Sequence, residues 1–146
     1  MAEIGRIISS TLNIEEVYEL FVKEAGNLIP LDRIAINLIN PEANKITSVY
    51  ISGVEVGRRK AGDSYPYAGS ISEEIMRTRK SLFIQTEDQD GLVRHSPDLL
   101  TTFQAGLRSM ISVPLIAQDR VIGIMHIRAV KPNAYTDRDV QLAERI

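Results

Sequence analysis

Ser109-Met110-Ile111-Ser112-Val113-Pro114-Leu115-Ile116-Ala117, then Gln118-Asp119-Arg120, then Val121-Ile122-Gly123-Ile124-Met125-His126-Ile127-Arg128-Ala129-Val130 is the stretch on which the fold turns. It reads as two long strands, Ser109–Ala117 and Val121–Val130, folded back on each other through a short polar connection. Alternation in the second strand puts His126 on one face with Ile122, Ile124 and Arg128. Beyond the hairpin, Thr136 followed by Asp139 predicts a cap for a last helix, still running at Ile146.

Upstream lies the polar middle of the chain, Gln85 to Arg108, holding Asp88, Asp90, Arg94, His95, Gln104 and Arg108. One helix is expected there, with Ser96 as cap, Pro97 at its first position and Gly106 just past its end. Ser81–Ile84 suffices for a short strand. Ser70 and Glu73 make a capping box for a short helix through Arg77 that presents Ile71, Ile75 and Met76. Val54 to Tyr67, with Gly57, Gly62 and Pro66, reads as a looser stretch.

The N-terminal part has two patterns. Ile34, Ile36 and Leu38 alternate with Ala35, Asn37 and Ile39, and Asn40-Pro41 with Asn44 supplies a turn before a returning strand, Ile46–Ser52. Before that, Asn13 and Glu16 form a capping box for a helix whose Ile14, Val17, Tyr18, Phe21, Ala25, Leu28 and Ile29 make one apolar face. Pro30 stops it. Ile4, Ile7, Ile8 and Leu12 suggest an earlier helix over residues 3–11. The order predicts an α+β domain: a central antiparallel sheet of five to six strands, terminal helices on one face, and a crossover with short helices over the other.

Composition narrows the role. The 146 residues suit a single domain spanning 1–146, and 44% hydrophobic with 25% charged is a globular balance. Net charge is −2 with both signs interspersed, so no nucleic-acid footprint is expected. The basic clusters Arg58-Arg59-Lys60 and Arg77/Arg79/Lys80 read as solvated loops. Cysteine is absent, which removes disulfides, thiolate nucleophiles and thioether-attached cofactors, and fits a reducing, cytoplasmic setting. No signal peptide and no apolar run of the ~20 residues that cross a bilayer is present, so no membrane contact is expected.

Three segments carry a family resemblance. Ser109–Leu115 followed by Val121–Met125 resembles the closing hairpin of GAF domains; Ser10-Thr11-Leu12-Asn13-Ile14-Glu15-Glu16-Val17 resembles the entry to their first core helix. Ala134-Tyr135-Thr136-Asp137-Arg138-Asp139 resembles the entry to their last. The resemblance implies a PAS-like sensor fold that holds a small molecule between sheet and crossover and signals through terminal helices, which often dimerise. The attached effector is then a sensor histidine kinase, a cyclic-di-GMP enzyme or a transcriptional activator, and this chain a piece of a longer signalling protein.

The ligand is left open. Family members that attach a bilin covalently or reduce methionine sulfoxide use cysteines, which this chain lacks. Lys131, Asn133, Tyr135 and Asp137 depart in order and spacing from the cyclic-nucleotide signature. Haem would need an axial histidine; His95, in the crossover, is better placed than His126, which reads as a packed or edge-exposed strand histidine. A surface loop histidine is the plainer reading of His95. Asp88, Asp90 and His95 match no metal motif. A polar-lined pocket remains, for which Tyr65, Tyr67, Ser70, Arg94, His95, Phe103, Gln104, Arg108 and Ser109 are the expected lining, with Arg108 either pairing with an anion or capping the preceding helix end. Replacing Arg108 or His95 is expected to alter ligand response without unfolding the domain.

Three readings follow: a ligand-binding sensor, a ligand-free dimerisation scaffold, and an enzyme. The last has no Gly-x-Ser-x-Gly elbow, no His-Glu-x-x-His and no phosphate-binding glycine loop behind it.

Overall fold

The computed structural model describes residues 14–57, 59–85, 89–91 and 99–145. The helix expected over 3–11, the Asn13 cap and the Ser96-Pro97 helix start lie outside them.

Helix α1 (Ile14–Leu28) leads into strands β1 (Arg33–Asn40), β2 (Lys45–Gly53) and β3 (Ser64–Pro66). Helix α2 (Ile71–Thr78), strand β4 (Leu82–Gln85) and helix α3 (Leu100–Gln104) form the crossover. Strands β5 (Ser109–Ala117) and β6 (Arg120–Ala129) and helix α4 (Asp137–Arg145) complete the chain. The sheet has six strands in the order β3-β2-β1-β6-β5-β4, each antiparallel to its neighbours. The long hairpin closes beside β1, so β1 and β6 are the central pair.

Period-two alternation splits the sheet's side chains between two cores. Ile34 and Ile36 of β1, Ile111 and Val113 of β5, and Met125, Ile127 and Ala129 of β6 face one way. Tyr18, Phe21 and Val22 of α1 and Val140, Leu142 and Ala143 of α4 cover them. Met110 and Ile124 face the other way, under Ile71 and Ile75 of α2 and Leu99 and Phe103 around α3. The α+β class, the terminal helices on one face and the crossover on the other are as the sequence predicts.

Local chemistry explains the ends. Ser70 Oγ accepts the Glu73 N–H at 3.3 Å as the α2 cap. The Asp139 carboxylate accepts the Thr136 N–H at 2.9 Å at the start of α4. Gln118 and Asp119 both have positive φ, 51° and 63°, which matches a two-residue hairpin to the strands' twist; Arg120 already belongs to β6. Two features differ from expectation. The loose stretch contains β3, three residues on the edge of β2, too short to show alternation. Leu28, expected on the apolar face of α1, is 56% exposed; Ile29, about 100° further round the helix, takes the inward position.

Candidate functional site: a polar cavity between sheet and crossover

The crossover-facing side of β1 carries Arg33, Ala35 and Asn37 at alternate positions, and their cross-strand partners on β6 are Arg128, His126 and Ile124. Two arginines, a histidine and an asparagine thus replace an apolar stripe at the centre of the sheet. All four are buried, at 2–7% exposure. Helices α2 and α3 do not close down on them. A cavity with about 40 Å³ of room for the centres of water molecules separates the layers, enough for about three waters. Its floor is Arg33, Ala35, Asn37, His126 and Arg128; Ile46, Tyr65 and Arg59 form one wall; Ile71, Ser72, Leu99 and Thr102 form the roof.

One side of the floor is a closed hydrogen-bond ring. Asn37 Nδ2 donates to the Tyr65 hydroxyl at 3.0 Å, and Ser48 Oγ donates to Asn37 Oδ1 at 2.9 Å. Ser48 has then spent its proton, so its 3.0 Å contact with Tyr65 is donated by the phenol. Each member fixes the next, and Tyr65 is a rigid wall. The Arg59 guanidinium stacks over its ring, 5.2 Å from the centroid.

The other side orients His126. Arg128 Nη2 lies 3.0 Å from His126 Nδ1, and Ser112 Oγ lies 2.7 Å from the same atom. A guanidinium can only donate, so Nδ1 accepts and the neutral ring carries its proton on Nε2. Arg128 Nη1 also donates to Ser112 Oγ at 3.1 Å and to the Ile111 carbonyl at 3.3 Å. Burial, then Arg128, Arg59 and Arg33 in that order, hold the His126 pKa well below its ordinary 6.5. Arg33 Nη1 donates to the Val54 carbonyl at 2.8 Å. Burial, with Arg59 adding, lowers Arg33 from its usual range while Tyr65 opposes; an arginine nonetheless keeps its charge at neutral pH.

Of the residues expected from sequence, Tyr65 lines the cavity. Arg94 and His95 lie outside the described residues. The others stand elsewhere. Tyr67 and Ser70 form the entry to α2, where Ser70 Oγ donates to the Tyr67 carbonyl at 2.6 Å. Burial raises the Tyr67 hydroxyl, with Glu73 adding. Phe103 packs into the core under the crossover, and Gln104 is exposed. Arg108 caps the end of α3, donating to the Phe103 carbonyl at 2.7 Å and stacking 3.7 Å over the Phe103 ring. Its replacement is therefore expected to loosen α3 before it touches a ligand. Ser109 faces the terminal helices, donating to the Lys131 carbonyl at 2.7 Å and accepting the Ala134 N–H at 3.0 Å. The expectation took the polar residues of the covering segment; among those described, Tyr67, Ser70 and Arg108 hold that segment together.

The residues that sequence reasoning missed are Arg33, Asn37, Arg59, Ser72, Thr102, His126 and Arg128. Their signal was in the alternation: β1 reads Arg-Ile-Ala-Ile-Asn, and His126 shares its face with Arg128. Polar residues at period two in an otherwise apolar central strand mark a face that is not simply core. Among the described residues no group of three or more His, Cys, Asp or Glu could hold a metal.

An antiparallel sheet with terminal helices behind it and a polar cavity in front defines a sensor-type α+β domain. The GAF domain family model matches residues 11–146, and the chain belongs to that family, whose members are small-molecule-sensing regulatory domains. The formate hydrogenlyase transcriptional activator FhlA of Escherichia coli is 21% identical over 100% of this chain and 22% of its own length; the chain spans about a fifth of the curated relatives it matches. The GAF domain of a two-component sensor histidine kinase from Bacillus halodurans superposes with a TM-score of 0.70 at 16% identity, covering 92% of this chain and 88% of that one. The free methionine-R-sulfoxide reductase of Neisseria meningitidis, solved with its substrate, has the same fold: TM-score 0.69, 12% identity, 99% and 79% coverage.

Proposed function

We propose that this chain is the sensory domain of a larger cytoplasmic signalling protein. A small molecule occupies the cavity between the sheet and the crossover, and its presence is passed to an effector through α1 and α4. The observation that carries this reading is the cavity itself, lined from the central sheet by buried hydrogen-bonding groups where an apolar stripe would be expected. The route to the helices is short. Gln85, where the crossover leaves β4, accepts the Tyr135 N–H at 2.7 Å, and the Tyr135 hydroxyl donates to the Pro30 carbonyl at 2.8 Å. A ligand that favours one placement of the crossover biases both helix ends, by its differential affinity for the two arrangements. The likenesses support two effector classes, a transcriptional activator and a histidine kinase. No catalysis is assigned to the domain: the thiol chemistry of the family's reductases needs cysteine, and the sequence has none.

Native mass spectrometry of the domain purified gently from its source, with an absorption spectrum and a thermal-shift screen of metabolites, tests the reading. A ligand at about a hundred times its dissociation constant stabilises by about 2.7 kcal/mol, which raises Tm by roughly 5–10 °C. A chain that purifies empty and responds to nothing in the screen would instead support the ligand-free scaffold. That second reading has its own observation, the exposed Leu20 and Leu28 on α1, 52% and 56% accessible.

A further inference from the structure

Three of the buried polar residues that line the cavity come from three separate elements. Ser72 of α2 and Thr102 of α3 stand in the roof, and His126 of β6 stands in the floor. Their exposures are 2%, 4% and 7%. Both bonds of His126 run through Nδ1, to Ser112 Oγ at 2.7 Å and to Arg128 Nη2 at 3.0 Å. Among the described residues, Ser72 Oγ, Thr102 Oγ1 and His126 Nε2 have no hydrogen-bond partner. Ser81 Oγ is the one polar side-chain atom there that is both fully enclosed and unpaired. The other three atoms therefore touch open space, and the space their residues share is the cavity. A guanidinium only donates, so Nδ1 accepts and Nε2 carries the proton. Two bonds hold the ring, which makes Nε2–H a donor of fixed direction. This set does not depend on how the surrounding arginines are paired.

We infer that a small carbonyl compound bridges this set, its oxygen accepting from His126 Nε2–H and its far edge meeting the Ser72 and Thr102 hydroxyls. The inference rests on the proposal that this cavity is the sensor's ligand site, and it names the contacts and the ligand's chemical class. The oxygen end follows from His126, whose free ring nitrogen offers a donor and no acceptor. The far end follows from the two hydroxyls, which donate or accept; an amide N–H and a second carboxylate oxygen both fit them. Size follows from the room available: about 40 Å³ for water centres admits roughly three to five non-hydrogen atoms. Buried polar groups are costly when left unpaired, and a donor held in place beforehand loses little freedom on binding. A ligand that joins floor to roof also ties α2 and α3 to β6, which couples occupancy to the placement of the crossover. The Asn37–Ser48–Tyr65 ring is satisfied within itself, so it shapes the wall without competing for the ligand.

The test titrates the 146-residue chain while its histidine side chains are followed by long-range ¹H–¹⁵N NMR. The chain has two histidines, and the His126 signals are those lost in His126→Gln. The probes are acetamide, acetone, thioacetamide and sodium acetate, the last against sodium chloride at matched ionic strength. A saturable shift of the His126 Nε2–H signal is expected from acetamide or from acetate. Preference for acetamide identifies a neutral ligand, and preference for acetate a carboxylate. Acetone, which lacks the polar far edge, should bind more weakly than acetamide, and thioacetamide, whose sulfur is a poorer acceptor, more weakly still. Ser72→Ala and Thr102→Val are each expected to weaken the binding about fivefold with an unchanged circular dichroism spectrum. They lie on different helices, so either carries the test where the other fails to fold. Equal affinity for acetamide and thioacetamide, or undiminished affinity in the folded roof variants, would each overturn the inference. If a metabolite from the thermal-shift screen binds without moving the His126 signal, the carbonyl assignment falls and the sensor reading stands. If no probe and no metabolite binds, both fall.

Discussion

His126 shows how much a single side chain can record. It is buried between two central strands, its Nδ1 takes hydrogen bonds, and three guanidiniums act on it. All of this favours the neutral ring, so the folded-state pKa lies below the 6.5 of the unfolded chain. The unfolded state then binds the proton first as pH falls. The stability that His126 contributes is fully present above pH 6.5 and is lost progressively as pH drops below it, until the folded ring also protonates. The slope of that loss cannot exceed the single-proton limit of about 1.4 kcal/mol per pH unit. Urea unfolding across that window should show the loss, and His126→Gln, which keeps an acceptor for Arg128, should flatten it. A wild-type slope that survives the substitution would place the titration elsewhere.

Among elements, β6 is the most constrained. Gly123 pairs with Leu38 of β1, and a Cβ there would stand 2.3 Å from the Asn37 carbonyl oxygen. That is a backbone atom, so the strands would have to part. Gly123→Ala is expected to cost about 3 kcal/mol through overpacking. Because Asn37 sits at the contact, it should also disturb the ring that holds Tyr65. Chemical denaturation gives the first effect, and a shift in Tyr65 fluorescence or NMR signals the second. A variant with wild-type stability would mean that the β1–β6 spacing is soft. The same close approach fixes Arg33 opposite Arg128, so the glycine positions the cavity floor as well as the sheet.

At the scale of the whole molecule, α1 and α4 share one core and leave Leu20 and Leu28 on the outer side of α1. These two side chains are the surface on which the proposed homodimer through the terminal helices would rest. Leu20→Asp with Leu28→Asp is expected to turn a dimer into a monomer in light scattering while the domain stays folded, since neither residue is part of the buried core. A dimer that persists in the double variant would move the interface elsewhere. No helix among the described residues is long and apolar enough to cross a membrane.

Local signals carried far in this chain. Alternation in Ser109–Val130 and Ile34–Ile39, the stripe from Tyr18 to Ile29, and the caps at Ser70 and Thr136 each depend on residues a few positions apart, and together they determined the α+β class and the element order; the family followed from the resemblance of three segments. β3 stayed hidden because three residues cannot display a period. The cavity was decided by tertiary structure. Arg33 and Arg128 are 95 positions apart along the chain and neighbours only because the closing hairpin inserts beside β1. The same pairing turned His126 from a strand histidine into part of the floor, and the packing of α3 made Arg108 a cap. Period and punctuation are written along the chain; which polar residues converge depends on which strands pair, and only the assembled sheet settles that.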